Sequence, residues 1–178
     1  MKYIILLRGI NVGGHKKVQM AKLREVLTQA GYSGVKTLLA SGNVVLESPE
    51  ESISHLENRI SALLETAFGF SIPVLVRMGE DILNIIREDP FKDIEVHKDI
   101  RLYVTFLRNE PETPIEAPWA SADGSYRILA VKDRMLLSVL DISVKKTVDA
   151  MQEEGKALGK EITTRNWNTV IKIGKLLQ

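Results

Sequence analysis

Apolar residues recur in two rhythms along this chain, and the switches between them predict its elements. Tyr3 to Leu7 is apolar at successive positions, as expected of a strand buried on both faces. Met20, Leu23, Val26, Leu27 and Ala30 then follow at helical spacing, with Gly31 where a C-terminal cap belongs. Val35 to Ala40 and Val44 to Glu47 read as two strands joined through the tight-turn composition Ser41-Gly42-Asn43. Ser48-Pro49-Glu50-Glu51 has the form of a helix start, with a capping serine, proline at the first helical position and acids in the first turn. That helix carries Ile53, Leu56, Ile60, Leu63, Leu64 and Ala67 inward and stops at Gly69, and Ile72 to Arg77 gives a fourth strand. Strand, helix, strand, strand, helix, strand is the split βαβ, or ferredoxin-like, pattern, and it fills residues 1–77.

The remainder holds similar elements in a less complete order. A short helix with Ile82, Leu83, Ile85 and Ile86 ends before Pro90, and Asp99 to Leu107 is a strand. Pro111, Pro114 and Pro118 make Asn109 to Pro118 an extended connection. Tyr126 to Val131 and Met135 to Leu140 form a hairpin turning at Lys132-Asp133-Arg134. Ser143 to Glu154 reads as a helix and Gly155 to Lys160 as a loop. The last helix begins near Thr164, with Trp167, Val170, Ile171, Gly174 and Leu177 on one face. The expected fold is α+β: a ferredoxin-like βαββαβ half over residues 1–78, then a second, degenerate related α+β half over residues 79–178. In this reading the C-terminal helix packs back on the first half, with one compact domain as the alternative.

Composition narrows the function classes. A chain of 178 residues with 44% hydrophobic and 26% charged residues is ordinary globular material. The absence of cysteine removes disulfides, thiolate metal sites and cysteine nucleophiles together. No window reaches the roughly 20 apolar residues a membrane helix needs, and the short apolar run at the start lacks a cleavage-site pattern. The expected setting is cytoplasmic, with no membrane association. A net charge of +1 argues against a dedicated non-specific nucleic-acid binder. The distribution is uneven, however: Lys2, Arg8, Lys16, Lys17, Lys22 and Arg24 occur before any acid does.

Three stretches carry candidate chemistry. In LLRGINVGGHKKVQM (6–20) paired glycines follow a strand and precede a helix, a setting in which backbone amides can approach an anion. Arg8 and Lys17 would supply charge, and Asn11, Gly13 and Gly14 would supply amides. The loop matches neither a P-loop, since His15 follows Gly14, nor the dinucleotide G-x-G-x-x-G pattern. Its bland alternative is a connection that only turns a strand into a helix. In the hairpin, Ser41 and Asn43 are either ligand contacts or simple turn chemistry. In TTRNWNT (163–169), Thr164 is the expected helix cap, leaving Arg165 and Asn166 at an exposed helix start. The histidines show no metal-ligand spacing, the acids from Glu80 to Asp99 read as a solvated surface, and no serine sits in a nucleophile-elbow context. No metal site is expected, and the sequence specifies no cofactor and no oligomeric state.

LLRGINVGGHKKVQM, TLLASGNVVLES and TTRNWNT, in this order, resemble the bacterial domain-of-unknown-function 1697 family. The likeness spans essentially the whole chain. The family's marked positions fall on Arg8, Gly9, Asn11, Gly13, Gly14, Lys17, Ser41, Gly42, Asn43, Thr164, Arg165, Asn166, Trp167 and Thr169. The resemblance implies a small cytoplasmic α+β protein built on ferredoxin-like units, with no established activity. It favours the three stretches forming one site without saying what binds there.

The leading expectation is a protein that binds a phosphate-bearing or other anionic ligand, a nucleotide or nucleic acid, through Arg8, Asn11, Gly13, Gly14, Lys17, Ser41, Asn43, Arg165 and Asn166. Its rivals are an enzyme acting on a phosphorylated small molecule, with His15 or a carboxylate as acid-base group, and a structural or interaction protein with no ligand.

Overall fold

The computed structural model describes residues 1–50 and 52–178, and the chain forms two compact units. Unit one comprises Met1–Asn84 and Ile171–Gln178, and unit two comprises Ile85–Val170.

Unit one contains β1 (Lys2–Leu7), α1 (Met20–Gln29), β2 (Ser33–Leu38), β3 (Asn43–Glu47), α2 (Ile53–Phe68) and β4 (Val74–Met78). Its four strands run β2-β3-β1-β4, every neighbour antiparallel. Strand β1 is central, and Tyr3 to Leu7 are all buried. Tyr3, Ile5 and Leu7 meet Leu23 and Leu27 of α1 and Leu56, Ile60 and Leu64 of α2 in one core. Fully burying one such aliphatic side chain stabilises the fold by roughly 1.5–3 kcal/mol. Ile4 and Leu6, on the opposite face of the strand, are equally inaccessible. The edge strand β4 is guarded by an acid that periodicity does not mark: Glu57 of α2 is buried, and its Oε1 accepts from the Val76 amide at 3.0 Å.

Some boundaries differ from the sequence reading, each for a local reason. Ser48 does not cap α2. Its Oγ accepts from the Glu50 amide, and Glu50 in turn accepts from the Ser52 amide, so 48–50 is a turn. The cap is Ser52, which accepts from the His55 amide, and Glu51, expected in the first turn, lies outside the described residues. Ala67 is exposed, and Gly69 ends the helix in the left-handed region as expected.

Unit two contains the end of α3 (Gly79–Glu88), then β5 (Ile100–Leu107), β6 (Trp119–Ala120), β7 (Tyr126–Lys132), β8 (Met135–Asp141), α4 (Thr147–Leu158), β9 (Ile162–Asn166) and the start of α5 (Trp167–Leu177). The sheet runs β6-β7-β8-β5-β9, again antiparallel throughout. Without the two-residue β6, the order β7-β8-β5-β9 repeats β2-β3-β1-β4 strand for strand. The β7–β8 hairpin turns on Asp133 and Arg134, both at positive φ, the geometry of a primed two-residue turn. Helix α4 starts and ends four residues later than expected, because Gly155 continues the helix and Gly159 ends it.

The largest departure is at residues 162–166. Thr164 does not cap a helix. It lies in β9, opposite Thr105 of β5, and α5 begins only at Trp167. The residue that caps is Asn166, whose Oδ1 accepts from the Asn168 amide at 2.9 Å.

The tightest packing at a turn is at Gly42, with φ +84°. A Cβ there would lie 2.7 Å from Leu7 Cβ and 2.8 Å from Ile10 Cδ1. Gly42→Ala therefore combines a left-handed backbone with overpacking, and it should lower unfolding free energy by roughly 2–4 kcal/mol. Urea denaturation of the two proteins measures this directly.

Candidate functional site

Two of the three candidate stretches meet in unit one. Strand β1 ends at Leu7, whose amide donates to Gly42 O at 2.8 Å, and the next amide, of Arg8, donates to Pro73 O. Asn11 then ties the loop to the hairpin. Its Nδ2 donates to Val18 O at 3.0 Å and to Ala40 O at 2.7 Å, while Oδ1 accepts from the Val18 amide at 2.8 Å. Asn11 stands at φ +55°, a conformation asparagine tolerates better than most residues. Its side chain is thus a clamp between three backbone segments.

Gly13 and Gly14 are not at a helix start. They form the tip of a small hairpin closed by the Val12–His15 bridge, with φ of +58° and +77°. Residues 15–19 separate them from α1, so their amides are not the first-turn amides of a helix. That role belongs to the segment around Met20. Helix α1 has no side-chain cap at Gln19 and no acid in its first turn. Its start opens on a shallow, solvent-open depression of about 710 Å³ lined by Asn11, Gly14, Lys17, Gln19, Met20 and Ala40, among others. Lys17 is exposed and Arg8 half-buried, and neither side chain has a hydrogen-bond or ion-pair partner among the described residues. The Lys16 ammonium donates to Ser71 O at 3.3 Å.

In the hairpin, the turn proper is 39–42, and Asn43 is the first residue of β3, opposite Leu38. Asn43 is buried, with Nδ2 donating to Leu38 O at 2.8 Å and to Ser41 Oγ at 3.1 Å. Ser41 is exposed at the turn.

The third stretch belongs to unit two. Arg165 is buried, and its Nη1 donates to Thr163 Oγ1 at 2.7 Å and to Thr164 O at 3.0 Å. Burial pulls its pKa down to about 10, so the guanidinium stays charged at neutral pH. Thr164 reaches a buried acid that sequence patterning does not reveal, Glu154 of α4. Arg77 of β4 is buried as completely, its Nη1 donating to Val76 O. Nothing local marks Glu154 or Arg77, because each is buried by packing between distant segments. Among the described residues, no group of three or more His, Asp or Glu side chains forms a metal-ligand set. No helix among them is long and apolar enough to cross a membrane.

The fold and site define a two-unit α+β protein whose first unit presents a basic loop surface. The chain belongs to the family described as "Protein of unknown function (DUF1697)", whose pattern matches residues 1–136 and so stops short of the 163–169 stretch. It is similar over 99% of its length to the conserved bacterial protein SP0830 from Streptococcus pneumoniae, covering 98% of that chain at 24% identity and a TM-score of 0.78. At that identity the likeness shows the fold alone. A search of curated proteins finds no match.

Asn11 separates a structural clamp from a ligand contact. Asn11→Ala should cost roughly 1–3 kcal/mol and speed hydrogen exchange at the Val18 amide. Asn11→Asp, which keeps the acceptor, should retain that amide's protection. Exchange measured on the three proteins decides between the roles.

Proposed function

We propose that this protein is a cytoplasmic binding protein whose first unit takes an anionic ligand, the phosphate of a nucleotide or nucleic acid, where α1 begins. The observation that carries this reading is the open depression lined by Asn11, Gly14, residues 17–21 and Ala40 of the hairpin turn, with Lys17 among them and no acid; Arg8 and Gly13 lie outside that lining. The uncapped first turn of α1 offers amides and the positive end of the helix dipole. Arg8 and Lys17 carry charges that no partner among the described residues neutralises. Asn11 and Asn43 act in this reading by holding the two loops in place, and Gly13 and Gly14 by shaping the rim.

We also read unit one as ferredoxin-like on its strand order. Such sheets can bind single-stranded RNA through aromatics exposed on their central strands. Tyr3, the one aromatic on β1 and β3, is buried in the core, with its hydroxyl donating to Glu50 O. Base stacking on the sheet therefore has no support, and phosphate recognition is preferred.

The test is titration of nucleotides and short oligonucleotides at low and high salt. Saturable binding that weakens with salt is expected. Arg8→Ala and Lys17→Ala should each weaken it by about tenfold to a hundredfold, the worth of one charge-assisted contact. Folded protein that shows no salt-sensitive binding across the panel would overturn the reading.

A further inference from the structure

Unit two holds a cavity of about 350 Å³ between its sheet and α4, closed on one side by the 115–119 segment. That volume suits a small organic molecule. Its walls are apolar, among them Ile115, Ile128 and Leu136, and Trp119 stands against Tyr126 with ring centroids 6.4 Å apart in an edge-on arrangement. The polar lining is acidic: Glu154, Glu153 and Glu116, with no lysine or arginine. Glu153 is paired outward with Lys145 at 2.7 Å, whereas Glu154 is 6% exposed and has no ion pair among the described residues.

Proton counting around Glu154 indicates what it receives. Oε1 lies 2.9 Å from Thr105 Oγ1 and 2.9 Å from the Tyr126 hydroxyl, and Oε2 lies 3.2 Å from Thr164 Oγ1. Thr105 and Thr164 are also 2.8 Å from each other. Each hydroxyl brings one proton, so three hydroxyls supply three protons for these four contacts. If Thr164 donates to Thr105, Oε2 is left without a donor. In that arrangement the proton at Oε2 is supplied by Glu154 itself, whose carboxyl burial pushes upward, or by a ligand; in the other, Thr164 donates to Oε2 and the shortage falls on a threonine contact.

We propose that this cavity binds a small apolar amine, its hydrocarbon or aromatic body against Trp119 and the aliphatic wall and its ammonium donating to Glu154. A cation supplies both a further donor to Oε2 and the counter-charge for a buried carboxylate. A neutral alcohol supplies the donor without the charge, and a carboxylate repels. The site is independent of the anion site on unit one, since it uses none of the same residues.

The experiment is calorimetric titration of the full chain with phenethylamine, phenethyl alcohol and hydrocinnamate, which share a ring and differ in head group. The amine should bind saturably, and at least about tenfold more tightly than either of the others. Glu154→Gln should weaken amine binding by about tenfold or more while leaving the circular dichroism of the fold intact. If that variant does not fold, Ala157→Phe, at an exposed position on the cavity lining, should abolish binding by filling the space. Equal affinity for the three probes, unchanged amine affinity in Glu154→Gln or in Ala157→Phe, or no amine binding by folded wild-type protein would each overturn the proposal.

Discussion

A strand with no wet face dictates most of unit one. Tyr3 to Leu7 are buried on both sides of the sheet, so their backbone amides and carbonyls must find partners within the protein. An edge position would leave one row unpaired, and β1 therefore takes β3 on one side and β4 on the other. Everything at the end of β1 must then fit closely. The 39–42 turn docks on Leu7 and Ile10 because Gly42 lacks a side chain, and Asn11 crosses to the same turn through Ala40. The depression at the start of α1 is a consequence of that docking.

Unit two meets the same constraint with β5, whose residues from Tyr103 to Leu107 are buried and which pairs with β8 and β9. The last strand of each sheet, β4 or β9, carries a buried arginine, Arg77 or Arg165. In both, the guanidinium reaches the carbonyl of the preceding residue. Replacing either arginine removes a contact to its own strand as well as a buried charge.

What the sequence disclosed was local, and what it concealed was not. The continuous apolar run of β1, the spacing of α1 and the Gly69 stop act within a few residues, and they were legible. TTRNW is ambiguous locally: threonine both caps helices and favours strands, and the choice was made by pairing with Thr105 some sixty residues away, a contact no window contains. Ser48 and Ser52 are equally good caps by type, and the Glu50 side chain, accepting from the Ser52 amide, holds the turn that precedes the helix. Of the candidate site, the charge and the proximity of loop to turn descend from β1 and the hairpin. The placement of Gly13 and Gly14 in their own small hairpin does not. Glu57 and Glu154 look like surface acids, because burial of a charge is a property of what packs over it.

The two units share a strand order and differ in what fills the face beside their second long helix. In unit one, α1 connects the first two strands and sets Leu23, Val26 and Leu27 into the core next to α2. In unit two the matching connection, from β5 to β7, contains three prolines and no helix. An extended chain fills less volume than a helix carrying a row of aliphatic side chains. The space that α1 closes in the first unit is left beside α4 as the cavity bounded by Ile115 and Trp119. The same omission bears on Glu154. A helix in that place would have buried it under hydrocarbon, at a cost that a carboxylate bonded only to hydroxyl groups would not offset. A connection too thin to cover α4 allows a carboxylate to sit at the floor of a cavity, within reach of a molecule from outside. The cavity beside α4 thus traces to one connection that proline keeps from becoming a helix.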